Sequence, residues 1–404
     1  MEGVSLGMRP VRVGVITFDW YPFEPRALRL TRAAADAGYS VDVICTRKSR
    51  EALRERDGNT RIYRLPLKQD ENTSFMRKIL LWCAFVLFAG IAMAWLHLRY
   101  RYKVVHVHNM PDFLVFSALV PKLFGAKIIL DVQDVTPELM KAKSKGRDRS
   151  WIVRFAVWQE HISTTFADHI VTTGPLFEEV LLQRGVPAKK ITCILNSADP
   201  SLFPAERRCP APFDTSAEEE RPFILMYHGT IEERNGLETA VRAFALARTT
   251  IPNLRLDIQG KGGHLPAVKQ LARNLGLGDS VIFTSSVTVD KLVDFVVHGD
   301  VGIIPYQRDG FMDLVLPTKA YEFAWMGRPM IASDTRAMRS MFRPEAVVLC
   351  EPDKPEAFAE AIVDLYQHPE KRARMIQCAS EDYEAYRWEA MAKLYQHLLQ
   401  ALLK

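Results

Sequence analysis

Residues 301–334 read VGIIPYQRDGFMDLVLPTKAYEFAWMGRPMIASD, and their order decides the fold. The apolar run VGIIPY has strand character. After a polar loop comes a helical segment with Pro317 in its first turn and Gly327 at its stop, then a second short apolar strand, PMIASD. Strand, helix and strand in this spacing make a βαβ unit, with both strands parallel in one sheet and the helix start at their carboxyl edge. Lys319 and Glu322 are three residues apart and share one helix face. Free N–H groups at the helix start, around Pro317 and Thr318, beside a lysine, favour a phosphate. A carboxylate one turn further in can accept hydrogen bonds from a sugar hydroxyl. A sugar–phosphate ligand is therefore expected at this edge.

The same alternation runs along the chain on both sides of this unit. Before it lie FILMYHG, LRLDIQG and SVIFTS, each followed by a helical stretch, and after it AVVLC. Nearer the start, VRVGVITF, VDVICT, TRIYRL, KVVHVH, KIILDV, HIVTT and ITCIL alternate with helical stretches in the same way. Such a pattern specifies α/β architecture with parallel, doubly wound sheets covered on both faces, whose ligands bind at the carboxyl ends of the strands. At 404 residues the chain is too long for one ordinary core. The segment Ser201–Arg221, rich in proline and carrying Glu218-Glu219-Glu220, has the composition of an exposed linker. The expected division is a first domain over 1–204, a second over 221–378, the two facing a cleft, and a charged amphipathic tail over 379–404 that forms paired helices crossing back to the first domain.

Composition is that of a soluble globular protein. The six cysteines, Cys45, Cys83, Cys193, Cys209, Cys350 and Cys378, form no C-x-x-C pair, and no histidine cluster has metal spacing, so neither a disulfide framework nor a zinc site is expected. Met1–Pro10 lacks the apolar core of a secretory signal, so the expected location is cytoplasmic. Net charge is +5, but residues 1–204 hold 29 Lys and Arg against 20 Asp and Glu, so the basic excess sits in the first half. A basic domain implies an anionic partner, nucleic acid or an acidic lipid surface.

Only the lipid has further support. Ile79–Leu96, ILLWCAFVLFAGIAMAWL, is eighteen residues without a charge, flanked by Arg77-Lys78 and by Arg99, Arg101 and Lys103. Its length is borderline for a membrane span. A single crossing would separate strands TRIYRL and KVVHVH that belong to one sheet. Two readings remain: a helix lying in the bilayer interface, with Trp82 and Trp95 at headgroup level, or a buried core helix.

Other candidate residues sit at strand ends. Gly229 and Thr230 end one strand, and Arg234 precedes the next helix, where a guanidinium can clamp phosphate through two N–H groups. Gly260-Lys261-Gly262-Gly263 ends the following strand and could cradle a nucleotide. In the first half, His106 and His108 share one strand side, with His108 at its end, suited to act on an incoming hydroxyl or to serve as a structural hydrogen-bonding group. Asp134, after the next strand, either faces the same edge or caps the helix that follows.

These pieces, in this order, resemble the retaining nucleotide-sugar glycosyltransferases of family 4, which have the GT-B fold of two Rossmann-like domains. The matching stretches are VVHVHN, KIILDVQD, ADHIVTTGPLFEEVLLQRGVPAKKITCILNSADPSLF, YHGTIEERNGLETAVRAF, LDIQGKGG, GDVGIIPY and LPTKAYEFAWMGRPMIASD. The resemblance implies a C-terminal domain that binds a nucleoside diphosphate sugar, a UDP- or GDP-sugar, and an N-terminal domain that binds the acceptor. It implies that Arg234 and Lys319 hold the diphosphate, that Glu322 bonds the ribose, that Gly260 and Gly262 line the nucleotide site, and that His108 lies near the reacting sugar. It implies retention at the anomeric carbon, with no metal or other cofactor.

Three positions depart from the family pattern. Many members carry a glutamate eight residues before the one matching Glu322, where this chain has Leu314, next to Asp313. Thr230 and Asn235 stand where many have Arg and Lys, leaving Arg234 to supply the charge. Tyr21-Pro22-Phe23-Glu24-Pro25-Arg26 replaces the usual glycine pair after the first strand. Such variation is familiar among members that build bacterial surface polysaccharides. The expected activity is transfer of a sugar to a lipid-linked acceptor at the inner membrane face, with no nucleic-acid partner. The alternatives are a catalytically silent GT-B subunit and a sugar-nucleotide epimerase.

Overall fold

A computed structural model of the chain describes residues 11–67, 75–143, 150–208, 221–285 and 289–404. The sequence-based expectations for Met1–Pro10 and for the acidic run at 218–220 lie outside the described residues. The chain divides into two compact units, Met1–Asn196 with Glu389–Lys404, and Ser197–Trp388.

The first unit is built on an eight-stranded sheet: β1 (Arg12–Trp20), β2 (Ser40–Thr46), β3 (Arg54–Asp57), β4 (Thr60–Leu65), β5 (Val104–His108), β6 (Lys127–Val132), β7 (His169–Thr172) and β8 (Ile191–Cys193). Their order is β3-β4-β2-β1-β5-β6-β7-β8, parallel throughout except for the β3–β4 hairpin. Central strands such as β2 and β5 are buried along almost their whole length, as a sheet covered on both faces requires. β3 was not expected from the sequence. Its residues Arg-Glu-Arg-Asp are all exposed, so no apolar period marks them; what pairs them with β4 is the tight turn at Gly58, whose φ of 53° suits glycine.

The apolar segment forms a helix from Phe75 to Tyr100, longer than the uncharged run at its centre. Phe85, Ala89, Met93 and Leu96 make a buried stripe at helical spacing, and Met93 packs so close to β1 that a Cβ on Gly14 would stand 2.9 Å from its Cε. The opposite face, with Leu80, Leu87, Ile91, Trp95 and Leu98, is apolar and exposed. By length and composition this helix could cross a membrane, yet its core-facing stripe docks it on the sheet. It is thus both a core helix and an apolar surface.

The second unit carries six parallel strands, β9 (Phe223–Thr230), β10 (Leu254–Lys261), β11 (Val281–Thr284), β12 (Val301–Ile304), β13 (Met330–Ser333) and β14 (Val348–Cys350), in the order β11-β10-β9-β12-β13-β14. It runs from Ser197 to Trp388. Of the expected linker Ser201–Arg221, residues 209–220 lie outside the described residues; in its first part Phe203 is buried, and its carbonyl accepts a 2.7 Å bond from Trp325 Nε1, while Arg208 Nε donates to the Trp325 carbonyl. The tail does not begin at 379. That position lies inside a helix, Pro369–Tyr383, whose Tyr383 packs on Tyr321 and Trp325 of the second unit. Only the last helix, Trp388–Leu402, belongs with the first unit, where Gln396 Nε2 donates to the Ala33 carbonyl at 2.8 Å.

Candidate functional site

The strongest constellation in the second unit is the start of the helix Thr318–Met326, just beyond β12. Pro317 occupies the cap position with φ −70°, and no side chain among the described residues caps this helix start, which leaves its N–H groups available to an anion. Lys319 is only 6% exposed. Its ammonium stands 4.5 Å from the Tyr227 ring centre, 5.1 Å from that of Tyr306, and 3.5 Å from the Tyr306 hydroxyl. The rings attract the cation and exclude water from it. Burial draws the Lys319 pKa down to about 8, against the pull of nearby Glu322. Glu322, one turn on, places Oε2 3.2 Å from His228 Nε2. Burial, and then Lys319, hold His228 down at about 3, so it is a neutral ring at neutral pH.

Two features were invisible in the sequence reading. Tyr227 and Tyr306 form the aromatic seat of Lys319; the signal for Tyr306 was its place as the last residue of VGIIPY, at the carboxyl end of β12. The Gly-rich turn after β10, read as able to cradle a nucleotide, uses two of its amides internally. Gly263 N–H donates to Glu232 Oε1 at 3.0 Å and His264 N–H to the Ile231 carbonyl at 3.0 Å. Gly260 and Gly262 serve close backbone approach instead: a Cβ on them would stand 1.9 Å from the Gly229 carbonyl oxygen and 2.1 Å from that of Ile231. Gly229 itself has φ 119° and leaves room for Lys319 Cε, 3.5 Å from where a Cβ would be. Thr230 is exposed, and its carbonyl accepts the Tyr227 hydroxyl. Arg234 is half-buried on the turn Glu233–Asn235, its guanidinium 5.7 Å from the Phe311 ring centre.

Leu314 is buried and closes a turn with the Phe311 carbonyl at 2.9 Å. Its neighbour Asp313 accepts the Arg336 amide at 2.9 Å, so that carboxylate is engaged at the next helix start. Neither residue offers what a glutamate at position 314 would.

The first unit holds a second constellation at the carboxyl ends of β5 and β6. His108 is paired in register with Asp131, and its Nδ1 lies 2.9 Å from Asp131 Oδ2. Arg26 grips the same carboxylate with Nε at 2.7 Å and Nη2 at 2.8 Å, and its other nitrogen donates to the Ile194 carbonyl and to Asn196 Oδ1. Burial alone would raise the Asp131 pKa; Arg26 and His108 outweigh it and hold the group well below the usual carboxylate range. His106 stacks on His108 at 4.5 Å and shares a 2.8 Å hydrogen bond between its Nδ1 and the Tyr395 hydroxyl. Burial and the neighbouring His108 push the His106 pKa down. The ligand atoms of His106, His108 and Asp131 lie within 4.8 Å of one another, as in a metal site, but Arg26 already supplies the positive charge there. Neither Arg26 nor Asp131 was picked out from sequence, since the register that sets Asp131 beside His108 is a tertiary fact.

The loop Tyr21–Arg26, which stands where the family has its glycine pair, is engaged in structure: the Tyr21 carbonyl accepts Arg64 Nη2 at 3.3 Å. Glu24 caps the helix Pro25–Asp36 through the amides of Arg26 and Ala27, and Arg26 holds Asp131. Asp134 lies half-exposed beyond β6, and its carbonyl accepts Asn109 Nδ2 at 3.1 Å. Asp19, at the end of β1, has its pKa raised to about 6, chiefly by burial and then by Glu24, with His108 and Lys78 pulling the other way.

Comparison with known proteins gives this geometry a context. A family model described as "Glycosyl transferase 4-like domain" matches residues 23–197, and one described as "Glycosyl transferases group 1" matches residues 211–382. A D-inositol 3-phosphate glycosyltransferase from Acidothermus cellulolyticus is 26% identical over 51% of this chain and 45% of its own length, so the chain spans under half of that relative. Among solved structures, a sucrose-phosphate synthase from Thermosynechococcus elongatus superposes with a TM-score of 0.75 at 21% identity, covering 97% of this chain and all of its own. Anabaena HepE, in complex with UDP and glucose, superposes with a TM-score of 0.68 at 13% identity, covering 97% of this chain and 100% of its own.

Proposed function

Because this chain belongs to the family-4-like glycosyltransferases of the GT-B fold, we propose that it moves a sugar from a nucleoside diphosphate sugar, with retention, to a hydroxyl of a lipid-linked glycan precursor at the cytoplasmic membrane face. The observation that carries the donor half is Lys319, a lysine desolvated between two aromatic rings at an uncapped helix start, with Glu322 one turn further in. A diphosphate bound there meets a cation and backbone N–H groups in a dry setting, where each is worth more than in water. Glu322 bonds the ribose in this reading. Arg234 adds charge from the neighbouring turn, and the same groups stabilise the diphosphate as it leaves. On the acceptor side, His108, held in orientation by Asp131, meets the reacting sugar, and Asp134 and Asp19 are the nearby carboxylates that can bond an acceptor hydroxyl.

The lipid part rests on the basic first half of the chain and on the helix Phe75–Tyr100, whose exposed face is apolar and whose ends are cationic. Assembly of a bacterial surface polysaccharide suits such an enzyme. No metal is needed, since lysine, arginine and helix start supply the positive charge.

The test is incubation with UDP-, GDP- and ADP-sugars together with membrane lipid extract. One donor should release its nucleoside diphosphate and yield a glycoside whose anomeric proton coupling matches that of the donor, with chelator present or absent. A folded chain that consumes none of them, or a donor whose sugar is returned epimerised with free nucleotide and no glycoside, overturns the assignment.

The depressed pKa of Lys319 adds a signature. Below pH 8 the lysine is already charged; above it the free enzyme holds a neutral amine that a diphosphate will recharge. Binding of the nucleoside diphosphate should therefore take up a proton between about pH 8 and pH 9.5, and affinity should fall as pH rises. Calorimetry in two buffers of different ionisation heat reads this directly. Heats independent of buffer at pH 9 would place the diphosphate elsewhere.

A further inference from the structure

The helix Ser150–Phe166 is built inside out. Gln159, Glu160, Ser163 and Thr164 face the interior, while Trp151, Phe155 and Trp158 are 68%, 56% and 56% exposed. A helix facing water shows the reverse polarity. Three of its inner polar groups have partners: Gln159 donates to Asp112, Glu160 accepts Arg184 at 2.7 Å, and the Thr164 hydroxyl donates to the His161 carbonyl at 3.1 Å. The outward aromatics, with Phe155 and Trp158 in ring contact at 5.6 Å, lie against solvent.

This helix and the helix Phe75–Tyr100 are neighbours in the first unit. The segment Asp112–Ala118 lies between the two helices, with Phe113 against Trp82 at 6.4 Å and Phe116 against Phe166 at 5.0 Å. Leu123 and Phe124, which follow it, are also exposed. Charge points the same way. The longer helix carries Arg77, Lys78 and Arg99 and no acid; the shorter carries exposed Arg154, and its one acid, Glu160, is buried in its ion pair. Beside it runs a groove of about 510 Å³ lined by Val153, Val157 and Val186 together with Arg154, His161 and the Glu160–Arg184 ion pair, so cations stand next to the aromatic face. A second copy of the chain would bring cation against cation, whereas an anionic bilayer meets them with opposite charge.

We propose that the helix Ser150–Phe166 is a second bilayer-contacting element, which inserts Trp151, Phe155 and Trp158 among anionic lipids beside the helix Phe75–Tyr100. It extends the membrane part of the function proposed above and rests on it. Two contact lines on one face would fix the orientation of the first unit on the membrane, where a single helix lets it roll.

The experiment uses the full chain and vesicles of phosphatidylcholine with or without phosphatidylglycerol. The triple variant Trp151→Ser, Phe155→Ser, Trp158→Ser alters only exposed side chains and should keep the melting temperature. It should bind phosphatidylglycerol vesicles about tenfold more weakly or worse. In a chain carrying Trp82→Phe and Trp95→Phe, brominated lipid should still quench tryptophan emission, and the quenching should vanish when Trp151 and Trp158 are also replaced by Phe. Wild-type affinity in the triple variant, or no quenching in the Trp82→Phe, Trp95→Phe chain, overturns the proposal while leaving the longer helix as sole contact. If wild type binds no vesicle, the whole membrane reading fails with it. Concentration-dependent dimers that the triple variant abolishes, without vesicle binding, would assign the face to a second copy and overturn it too.

Discussion

Lys319→Ala should lower kcat/KM for sugar transfer by about a thousandfold, about 4 kcal/mol of transition-state stabilisation, while the protein stays folded. The charge on the diphosphate grows as the bond to the sugar breaks, so a cation fixed beside it acts more strongly on the transition state than on the bound donor. The loss should therefore show in kcat as well as in KM. Stability should change little or rise, because the lysine is buried between Tyr227 and Tyr306 at a desolvation cost that its own depressed pKa records. Steady-state kinetics with the donor found in the screen, together with a melting curve, separates the two effects. Undiminished kcat in a folded Lys319→Ala chain would remove the diphosphate from this helix start. It would also be the behaviour of a silent GT-B subunit assayed through its partner.

Asp131→Ala should act in the opposite manner, on the fold first. It leaves Arg26 buried with its bidentate partner gone and His108 without its anchor. Breaking a buried pair from one side costs about 3–5 kcal/mol, which for a unit of this size is a fall of roughly 6–20 °C in melting temperature. Differential scanning calorimetry and urea denaturation read it, and a loss under 1 kcal/mol would show that the pair is not holding the unit together. The pH dependence has a definite sign. The folded pKa of Asp131 lies below the unfolded one, so its stabilisation is complete above the ordinary aspartate range and is lost as pH falls through that range toward the folded value. The wild-type protein should therefore lose stability below about pH 4, and Asp131→Asn should flatten that slope.

Much of this was legible because period and punctuation agree in an α/β chain. VGIIPY, LPTKAYEF and PMIASD announce strand, helix start and strand, and Lys319 and Glu322 take their places from helix geometry alone. What escaped the sequence was set by contacts across long separations. Arg26 reaches Asp131 and Asn196; Tyr395 reaches His106; Tyr227 and Tyr306 converge on Lys319 from two strands. No local pattern encodes such meetings. The Gly-rich turn misled for a related reason: glycines mark a close backbone approach, but whether a ligand or the carbonyls of Gly229 and Ile231 makes that approach is a tertiary fact. The inverted polarity of the helix Ser150–Phe166 also escapes the sequence, because hydrophobic spacing gives a stripe without saying which side of it meets the core.

The assignment of Glu389–Lys404 to the first unit makes that unit discontinuous in time as well as in sequence. A ribosome finishes the strands of the first sheet and then translates the whole of Ser197–Trp388, about 190 residues, before the helix that carries Tyr395 emerges. At common synthesis rates of 5–20 residues per second that is roughly ten to forty seconds. Throughout that interval the nascent first sheet stands without its final helix, with His106 lacking its phenol and the apolar face of Phe75–Tyr100 already formed beside it. The order of translation thus makes closure of the first unit over His106 one of the last events of its folding.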